Sequence, residues 1–393
     1  MSSAELVERV RLRLASGGGE AEPAAVAEAV RAESGGAPPT EVLAALRLWQ
    51  QETVGAGPLE ALLAEPGITD VLVTAPDQVW VDGTGGLRRT AVRFTKEEDV
   101  RRLAQRLALA AGRRLDDAQP FVDGWLPGSG PGGRVRLHAV LPPIAPDGTC
   151  VALRVLRPAS HDLAALRALE TFDDDGGDLL DAVVGARLAY LVTGGTGAGK
   201  STLLAAMLGR VPVTERIVCV EDAGELQPAH PQFIRLVARP PNVEGAGEVT
   251  LGELVRQALR MRPDRLVVGE VRGREVCELL TALNTGHDGG AGTLHANSPS
   301  EVPARLEALA ALGGLSRPAL HSQLAAAVQV VLHMRRDSPA AGGRRRLAEI
   351  GVVRPGPGGG PVVVTPVWRA GRWLDGRRLL AELVDARGGR LPC

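Results

Sequence analysis

Residues 191–202, LVTGGTGAGKST, combine a short apolar run with four glycines, a lysine and two terminal hydroxyl side chains. Gly194, Gly199, Lys200 and Ser201 stand at the spacing of the pattern G-x-x-x-x-G-K-[ST]. Glycines let a backbone wrap closely around a phosphate group with its N–H groups pointing inwards, and a following helix adds partial positive charge. Residues 194–202, which we name the phosphate loop, are therefore expected to bind the phosphate chain of a nucleotide.

The lysine of this loop stands out because the chain has only one other, Lys96, and uses arginine at its remaining basic positions. A compact ammonium group can bridge the β- and γ-phosphates, a slot that the broader guanidinium group of arginine cannot fill equivalently. The serine hydroxyl that follows is placed to bind Mg²⁺, so ATP and Mg²⁺ are the expected cofactors. The expected nucleotide-binding residues of the loop are Gly194, Gly195, Thr196, Gly197, Ala198, Gly199, Lys200, Ser201 and Thr202.

Two apolar segments that follow the phosphate loop end in carboxylates. The first, IVCVEDAGELQ, carries Glu221, Asp222 and Glu225, and the second, RLVVGEV, carries Glu270. Strand ends beside a phosphate-binding turn bring acids towards Mg²⁺ and the attacking water. Glu270 is expected to hold Mg²⁺ or one of its waters. Each acid taken alone could instead be a solvated loop carboxylate, but two such strand ends favour a functional role.

The segment TGHDGGAGTLHAN contains His287 and His295. A histidine at a strand end could sense the γ-phosphate or hold the acids in place, and it could equally be a packing residue. Both interpretations stay open for His287, whereas the functional one is favoured for His295.

From residue 179 onwards, short branched apolar runs alternate with helical patterns, as in YLVT, STLLAAML, RIVCVE and RLVVGEV. This alternation predicts a mainly parallel sheet with helices on both faces, with a long insertion after RIVCVED. An earlier part of the chain combines strand patterns with the amphipathic helix KEEDVRRLAQRLALAAG, which predicts a smaller α/β domain. The expected organisation is a flexible tail at 1–40, an N-terminal α/β domain at 41–158, a linker at 159–178, a nucleotide-binding domain at 179–354 and a C-terminal tail at 355–393.

The composition excludes several classes of protein. Hydrophobic residues make up 45% of the 393 residues and aromatic ones only 3%, so the core must consist of Ala, Leu and Val. The formal net charge of -1 gives no general attraction to nucleic acid or anionic lipid. The four cysteines form no CxxC pair, so no zinc site is expected. Without a long uncharged apolar run or a signal-peptide core, the protein is expected to be cytoplasmic.

Four segments in order, GGTGAGKST, IVCVEDAGELQ, RMRPDRLVVGEVRG and TGHDGGAGTLHANSP, resemble the Walker A motif, Asp box, Walker B motif and His box of the type II and type IV secretion ATPase superfamily. The closest resemblance is to the branch associated with tight-adherence (Flp) pili and conjugal transfer. GRRLDDAQPFVDGWLP resembles the N-terminal domain of that branch. The resemblance covers roughly residues 50–355, and four ordered motifs are far more specific than Walker A alone.

The resemblance implies a RecA-like P-loop NTPase core with a mainly parallel sheet, plus a smaller N-terminal α/β domain. It implies a homo-hexameric ring whose domains move against each other as Mg²⁺-ATP is bound and hydrolysed, powering pilus assembly or protein secretion. The implied partner is an inner-membrane platform protein, which would hold the chain at the inner face of the cytoplasmic membrane. No nucleic acid partner is expected.

The resemblance also implies roles for single residues. Glu225 matches the Asp-box glutamate that positions or activates water, and Glu270 matches the Walker B acid that acts through Mg²⁺ and its water. His295 matches the His-box histidine, and Lys200 is the Walker A lysine. Glu225, Glu270, His295 and Lys200 are therefore the expected catalytic residues, with Ser201 and Glu270 at the metal.

Three arginines carry an expected nucleotide contact from the same resemblance: Arg136 and Arg154 in the N-terminal domain, and Arg272 beside the Walker B acid. The glycine-rich segment SGSGPGGRVRL leaves open whether Arg134 or Arg136 is the matching residue. A second departure is Gly224, where a bulkier residue is usual, and a looser turn before the Asp-box glutamate is expected there.

Three other functions remain open. A nucleic-acid-translocating motor could use GGRRRLAE (342–349) as a phosphate-contact patch, although three adjacent arginines are more often a solvated face. A scaffold gated by nucleotide would bind ATP with negligible turnover, and the intact acids argue against it. A small-molecule kinase is less favoured, because no acceptor-substrate lid motif is present.

Overall fold

The computed structural model describes residues 9, 10, 13, 28, 29, 32, 33, 55–83, 85–127, 134–156, 161–241, 246–338 and 343–391. The chain divides into two compact units, Met1–Arg157 and Pro158–Cys393. Most of the tail expected at 1–40 lies outside the described residues. No helix in the described part of the chain is both long enough and apolar enough to cross a membrane.

The first unit contains a six-stranded antiparallel sheet in the order β3-β2-β1-β6-β5-β4. Its strands are β1 Ile68–Ala75, β2 Gln78–Gly83, β3 Arg88–Arg89, β4 Phe121–Trp125, β5 Arg134–Val140 and β6 Cys150–Leu156. Within residues 55–127, the unit also contains the helices α1 Glu60–Ala64 and α2 Glu97–Ala110. The predicted amphipathic helix is α2, whose buried Val100, Leu103 and Leu107 join the core of the sheet. It ends before Gly112, where φ is 68°.

The second unit contains a nine-stranded sheet in the order β15-β14-β13-β12-β7-β11-β10-β8-β9. The six strands from β12 to β9 run parallel, and β13, β14 and β15 extend the β12 side antiparallel. The strands are β7 Tyr190–Thr193, β8 Ile217–Glu221, β9 Phe233–Val237, β10 Arg265–Val271, β11 Ala291–Leu294, β12 Val330–Arg336, β13 Arg345–Arg354, β14 Val363–Arg369 and β15 Arg372–Trp373. The expectation of a RecA-like core with a mainly parallel sheet is confirmed.

Helices cover both faces of this sheet because its central strands are apolar on both sides. They are α3 Leu163–Ala168, α4 Asp174–Gly185, α5 Lys200–Leu208, α6 Leu251–Ala258, α7 Val276–Leu283, α8 Val302–Leu312, α9 Arg317–Ala327 and α10 Arg377–Asp385. In β8, Ile217 and Cys219 join the core under α3, α4, α5 and α10, whereas Val218 and Val220 join the core under α6 to α9. A strand buried on both faces reads as the continuous apolar run seen in the sequence.

Three parts of the second unit differ from the sequence-based expectation. The insertion after β8 adds the edge strand β9. The interval 159–178, expected to be a linker, contains α3 and the start of α4, because Leu163 and Leu166 are buried in the core beside α5. The interval 355–393, expected to be a tail, contains β14, β15 and α10, with Trp368 and Leu380 in the same core. The sequence shows the apolar run VVVTPVW and a helical pattern in DGRRLLAELVDA within 355–393, but it does not show that both pack into the core of the nucleotide-binding domain.

Candidate functional site

The phosphate loop joins the central strand β7 to α5, and three of its glycines adopt backbone angles that favour glycine. The φ angles of Gly194, Gly197 and Gly199 are 145°, 70° and 94°. A Cβ atom on Gly194 would lie only 2.3 Å from the backbone oxygen of Met334 on the neighbouring strand β12. The loop therefore keeps this shape only with glycine at these positions.

The backbone donors of the loop are arranged for an anion. Among the residues that the structure describes, none accepts a hydrogen bond from the N–H groups of Thr196, Gly197 or Gly199. The loop leads into α5, whose first N–H groups have no intrahelical acceptor and whose N-terminus carries partial positive charge. The donors and the dipole together fit the phosphate chain of a nucleotide.

Lys200 is the first residue of α5, and its side chain turns back over the loop. Its residue exposure is 8%, and its Nζ donates to the backbone oxygens of Gly194 at 3.2 Å and Gly195 at 3.0 Å. Burial lowers the pKa of this ammonium group, while the charges of Glu270 and Glu225 act in the opposite direction. The lysine is held at the mouth of the loop, where it can meet a phosphate group.

Glu270, His295 and Arg272 gather beside this lysine. His295 Nε2 lies 2.6 Å from Glu270 Oε1 and 3.4 Å from Lys200 Nζ. Arg272 Nη2 donates to the other oxygen of the same carboxylate, Oε2. Burial and the Lys200 charge lower the pKa of His295, which favours the neutral imidazole. The parallel sheet thus brings residues of β10 and of the segment after β11 to the phosphate loop.

The turn that carries Glu225 is fastened by the buried carboxylate of Glu221 at the end of β8. Glu221 is 4% exposed, and its Oε1 accepts hydrogen bonds from the N–H groups of Glu225 at 3.0 Å and Leu226 at 2.9 Å. Burial raises the pKa of Glu221 to about 7. Gly224 has a φ of 61°, and its backbone oxygen accepts a 2.6 Å bond from Arg235 of β9. Glycine at 224 therefore belongs to a fastened turn, where a looser one was expected.

Glu221 also joins this turn to the neighbouring strand β10. A Cβ on Gly269 would lie 2.6 Å from Glu221 Cγ, so only glycine leaves room for this side chain. The backbone oxygen of Gly269 accepts a 2.6 Å bond from Thr293 Oγ1 of β11. The ends of β8, β10 and β11 are consequently held together next to Glu270.

The side-chain oxygen atoms at this edge of the sheet are suitable ligands for Mg²⁺. Ser201, the second residue of α5, supplies a hydroxyl group, and Glu270 supplies a carboxylate that is only 21% exposed. Hydroxyl and carboxylate oxygens on a few protein side chains, completed by phosphate oxygens and water, are the ligands that Mg²⁺ prefers. The residues present therefore fit the expected metal.

Arg136 and Arg154 belong to the first unit, where they stand opposite each other on β5 and β6. Arg136 donates through Nε and Nη2 to Asp123, at 2.9 and 2.6 Å, and Arg154 Nε donates to Asp70 at 2.8 Å. Their contact with a nucleotide stays a prediction. Arg134, the other candidate for this role, has its guanidinium group 4.4 Å from the centre of the Trp125 ring.

The structure also shows the contacts of His287 and of the arginine run GGRRRLAE. His287 Nδ1 lies 3.1 Å from the backbone oxygen of Ala282 at the end of α7, which matches the packing interpretation. In GGRRRLAE, Arg345 Nε donates to the backbone oxygen of Gly197 at 3.0 Å. Sequence reasoning did not place this arginine at the site, because a run of three arginines does not show which one faces the loop.

The chain is similar to known proteins in family, in sequence and in structure. The family model described as "Type II/IV secretion system protein" matches residues 52–349. A Mycobacterium tuberculosis protein named for conjugal transfer is 66% identical over 350 residues, which cover 88% of this chain and 98% of that protein. The Bordetella pertussis type IV secretion system protein PtlH is 31% identical over 321 residues, covering 74% of this chain and 92% of PtlH.

Among solved structures, the pilus retraction motor PilT with bound ADP superposes with a TM-score of 0.53. The two chains are 23% identical, and the match covers 84% of this chain and 89% of PilT. This likeness concerns the fold.

Proposed function

Because the chain belongs to the type II/IV secretion system protein family, we propose that it is a Mg²⁺-dependent ATPase that powers pilus assembly or protein secretion. The observation that carries the proposal is the contact series from Lys200 through His295 to Glu270 at the mouth of the phosphate loop. A loop that merely bound nucleotide would need the lysine, but it would not need a carboxylate and an imidazole assembled beside it.

Hydrolysis requires that water attack the γ-phosphorus while the bond to the leaving ADP oxygen breaks. Glu225 lies on the turn that Glu221 holds through the N–H groups of Glu225 and Leu226, and in our proposal it orients this water and accepts its proton. Lys200 and the N–H groups of the loop stabilise the charge that develops on the phosphate oxygens. His295, kept neutral by its lowered pKa, holds the Glu270 carboxylate in place next to Lys200.

Ser201 and Glu270 would hold Mg²⁺, which would supply positive charge to offset the negative charge of the phosphate chain. Arg272 donates a hydrogen bond to Oε2 of Glu270, and His295 Nε2 lies 2.6 Å from Oε1, so both oxygens have neighbours that restrict the carboxylate. Such fixation lowers the cost of reorganising the site when nucleotide binds.

We propose that six copies of the chain form a ring. Mechanical work then comes from motion between the two units of each chain as ATP binds and is hydrolysed. The family membership and the conjugal-transfer and secretion names of the relatives support this part. An inner-membrane platform protein is the proposed partner, and it would place the ring at the inner face of the cytoplasmic membrane. Arg136 and Arg154 are proposed to reach a nucleotide phosphate in that assembly.

Nucleic acid translocation is less favoured as a function of the arginine run. Arg344 is bonded to Glu170, and Arg346 donates to Asp337 at 2.9 Å, so two of its three arginines are already neutralised. A phosphate-contact patch for DNA or RNA would present cations whose charge is not offset by carboxylates of the same chain.

Phosphate release from Mg²⁺-ATP, measured beside ATP binding, tests the proposal. Lys200→Ala should abolish binding, whereas Glu225→Gln and Glu270→Gln should retain binding and lower turnover by about 100-fold or more. Glu382→Gln, which removes an exposed carboxylate on α10, is the matched control and should change neither quantity. Binding without any phosphate release by the unmodified protein, alone and with its platform partner, would favour a nucleotide-gated scaffold instead.

A further inference from the structure

The antiparallel pair β12–β13 carries two cross-strand pairs of arginines beside the phosphate loop. Arg335 stands opposite Arg346, and Arg336 stands opposite Arg345. Like charges directly opposite each other destabilise a sheet, so each pair calls for a compensating anion. Because successive residues of a strand point to opposite faces, the two pairs lie on opposite sides of the sheet.

The first pair has its anion within the chain. Asp337 accepts a 2.9 Å bond from Arg346 Nε, and its other carboxylate oxygen lies 3.6 Å from Arg335 Nη2. The neighbouring Arg344 is bonded to Glu170. Three of the five arginines at this end of the strands are therefore neutralised by carboxylates.

The second pair faces the phosphate loop and lacks such an anion. In the described part of the chain, no carboxylate contacts Arg336 or Arg345. Arg345 Nε donates to the backbone oxygen of Gly197 at 3.0 Å, and a Cβ on Gly199 would lie 3.2 Å from Arg345 Cδ. A Cβ on Gly197 would lie 3.7 Å from Arg336 Nη1. Burial lowers the pKa of Arg345, and the charge of Arg336 lowers it further.

We propose that Arg336 and Arg345 bind the phosphate chain of the nucleotide from the β13 side of the phosphate loop. This inference rests on the proposed ATP binding and adds two residues to the site. The nearest group able to neutralise both cations is the anion for which the loop is shaped. The Nε–H group of Arg345 donates to the phosphate loop, whereas both of its Nη atoms lack acceptors among the described residues. These Nη atoms can therefore donate to phosphate oxygens.

Equilibrium binding of fluorescent ATP, ADP and AMP analogues to the full chain tests this pair. Arg345→Gln and Arg336→Gln should each raise the Kd for ATP by about tenfold or more, as expected for loss of charged hydrogen bonds to phosphate. The Kd for AMP should rise by less than about threefold, because AMP carries fewer phosphate oxygens. Arg346→Gln, which removes the adjacent arginine paired with Asp337, is the matched control and should leave all three Kd values within about twofold.

The controls separate the possible failures. If the unmodified protein binds no ATP, the proposed function fails, whatever the variants do. If it binds ATP and loses binding in Lys200→Ala, but Arg336→Gln and Arg345→Gln bind ATP normally, the arginine inference fails. Equal losses of ATP and AMP binding would also overturn it, because they would indicate a distorted loop. Should Arg345→Gln fail to fold, Arg336→Gln decides alone, since the side chain of Arg336 makes no hydrogen bond among the described residues.

Discussion

Replacing Glu221 by glutamine should remove a pH-dependent loss of stability. In the folded protein, burial raises the pKa of Glu221 to about 7 from the ordinary value of 4.5. The folded state therefore binds more protons than the unfolded state between these values, and the free energy of unfolding falls as pH rises through that window. A difference of about 2.5 pKa units lowers the free energy of unfolding by about 3 kcal/mol, and the full loss is reached above pH 7.

Glutamine keeps a side-chain oxygen for the N–H groups of Glu225 and Leu226 and carries no charge. Urea unfolding of the unmodified chain and of Glu221→Gln, followed by circular dichroism at pH 5 and pH 8, measures the effect. Between pH 5 and pH 8, the free energy of unfolding of the variant should rise by up to about 3 kcal/mol relative to that of the unmodified chain. Glu382→Gln, which removes an exposed carboxylate, should show no such gain.

A stability difference between the two proteins that is the same at pH 5 and pH 8 would refute this reasoning. It would show that the Glu221 carboxylate ionises in the folded protein without a desolvation cost. Turnover gives an independent check, because Glu221→Gln should keep the turn that carries Glu225 and retain ATPase activity within about threefold. Glu221→Ala removes the acceptor of both N–H bonds and should therefore lose most of the ATPase activity.

Two further substitutions test the packing around the site. Gly194→Ala should abolish ATP binding, because its Cβ would lie 2.3 Å from the backbone oxygen of Met334; a normal Kd in a nucleotide titration would contradict the assigned loop shape. Arg265→Met should lower the free energy of unfolding by about 3 kcal/mol, since Arg265 is 1% exposed and bonded at 2.7 Å to Glu215. Among the described residues, Glu215 would then keep its ion pair with Arg187 alone. Urea unfolding measures this loss, and a change below about 1 kcal/mol would count against it.

The core of the site could be predicted because its residues stand at the ends of strongly apolar strands. β8 and β10 are continuous buried runs, so their order with helices between them indicates parallel strands whose carboxyl ends meet at one edge. That rule alone brings Glu221 and Glu270 towards the phosphate loop. The structure shows the contacts of Glu270 with His295 and Arg272, which the sequence suggested only through the resemblance to secretion ATPases.

The arginines of β12 and β13 could not be sorted from the sequence. Their partners are set by cross-strand register, which places Arg336 opposite Arg345, and by Asp337 and the distant Glu170. The edge strand β9 was missed for a related reason. Its residues are only partly buried, and buried and exposed positions do not alternate along it. Information of this kind resides in tertiary pairing and is absent from any short window of sequence.

Mg²⁺-ATP turnover by the purified full chain, measured against protein concentration with and without single-stranded DNA and beside Lys200→Ala, tests the central claim most directly. Turnover should rise steeply with protein concentration, stay unchanged by DNA and vanish in the variant, as expected for an oligomeric secretion motor. Turnover stimulated by DNA would contradict it in favour of a nucleic acid translocase. Turnover that persists in Lys200→Ala would contradict the assigned site itself.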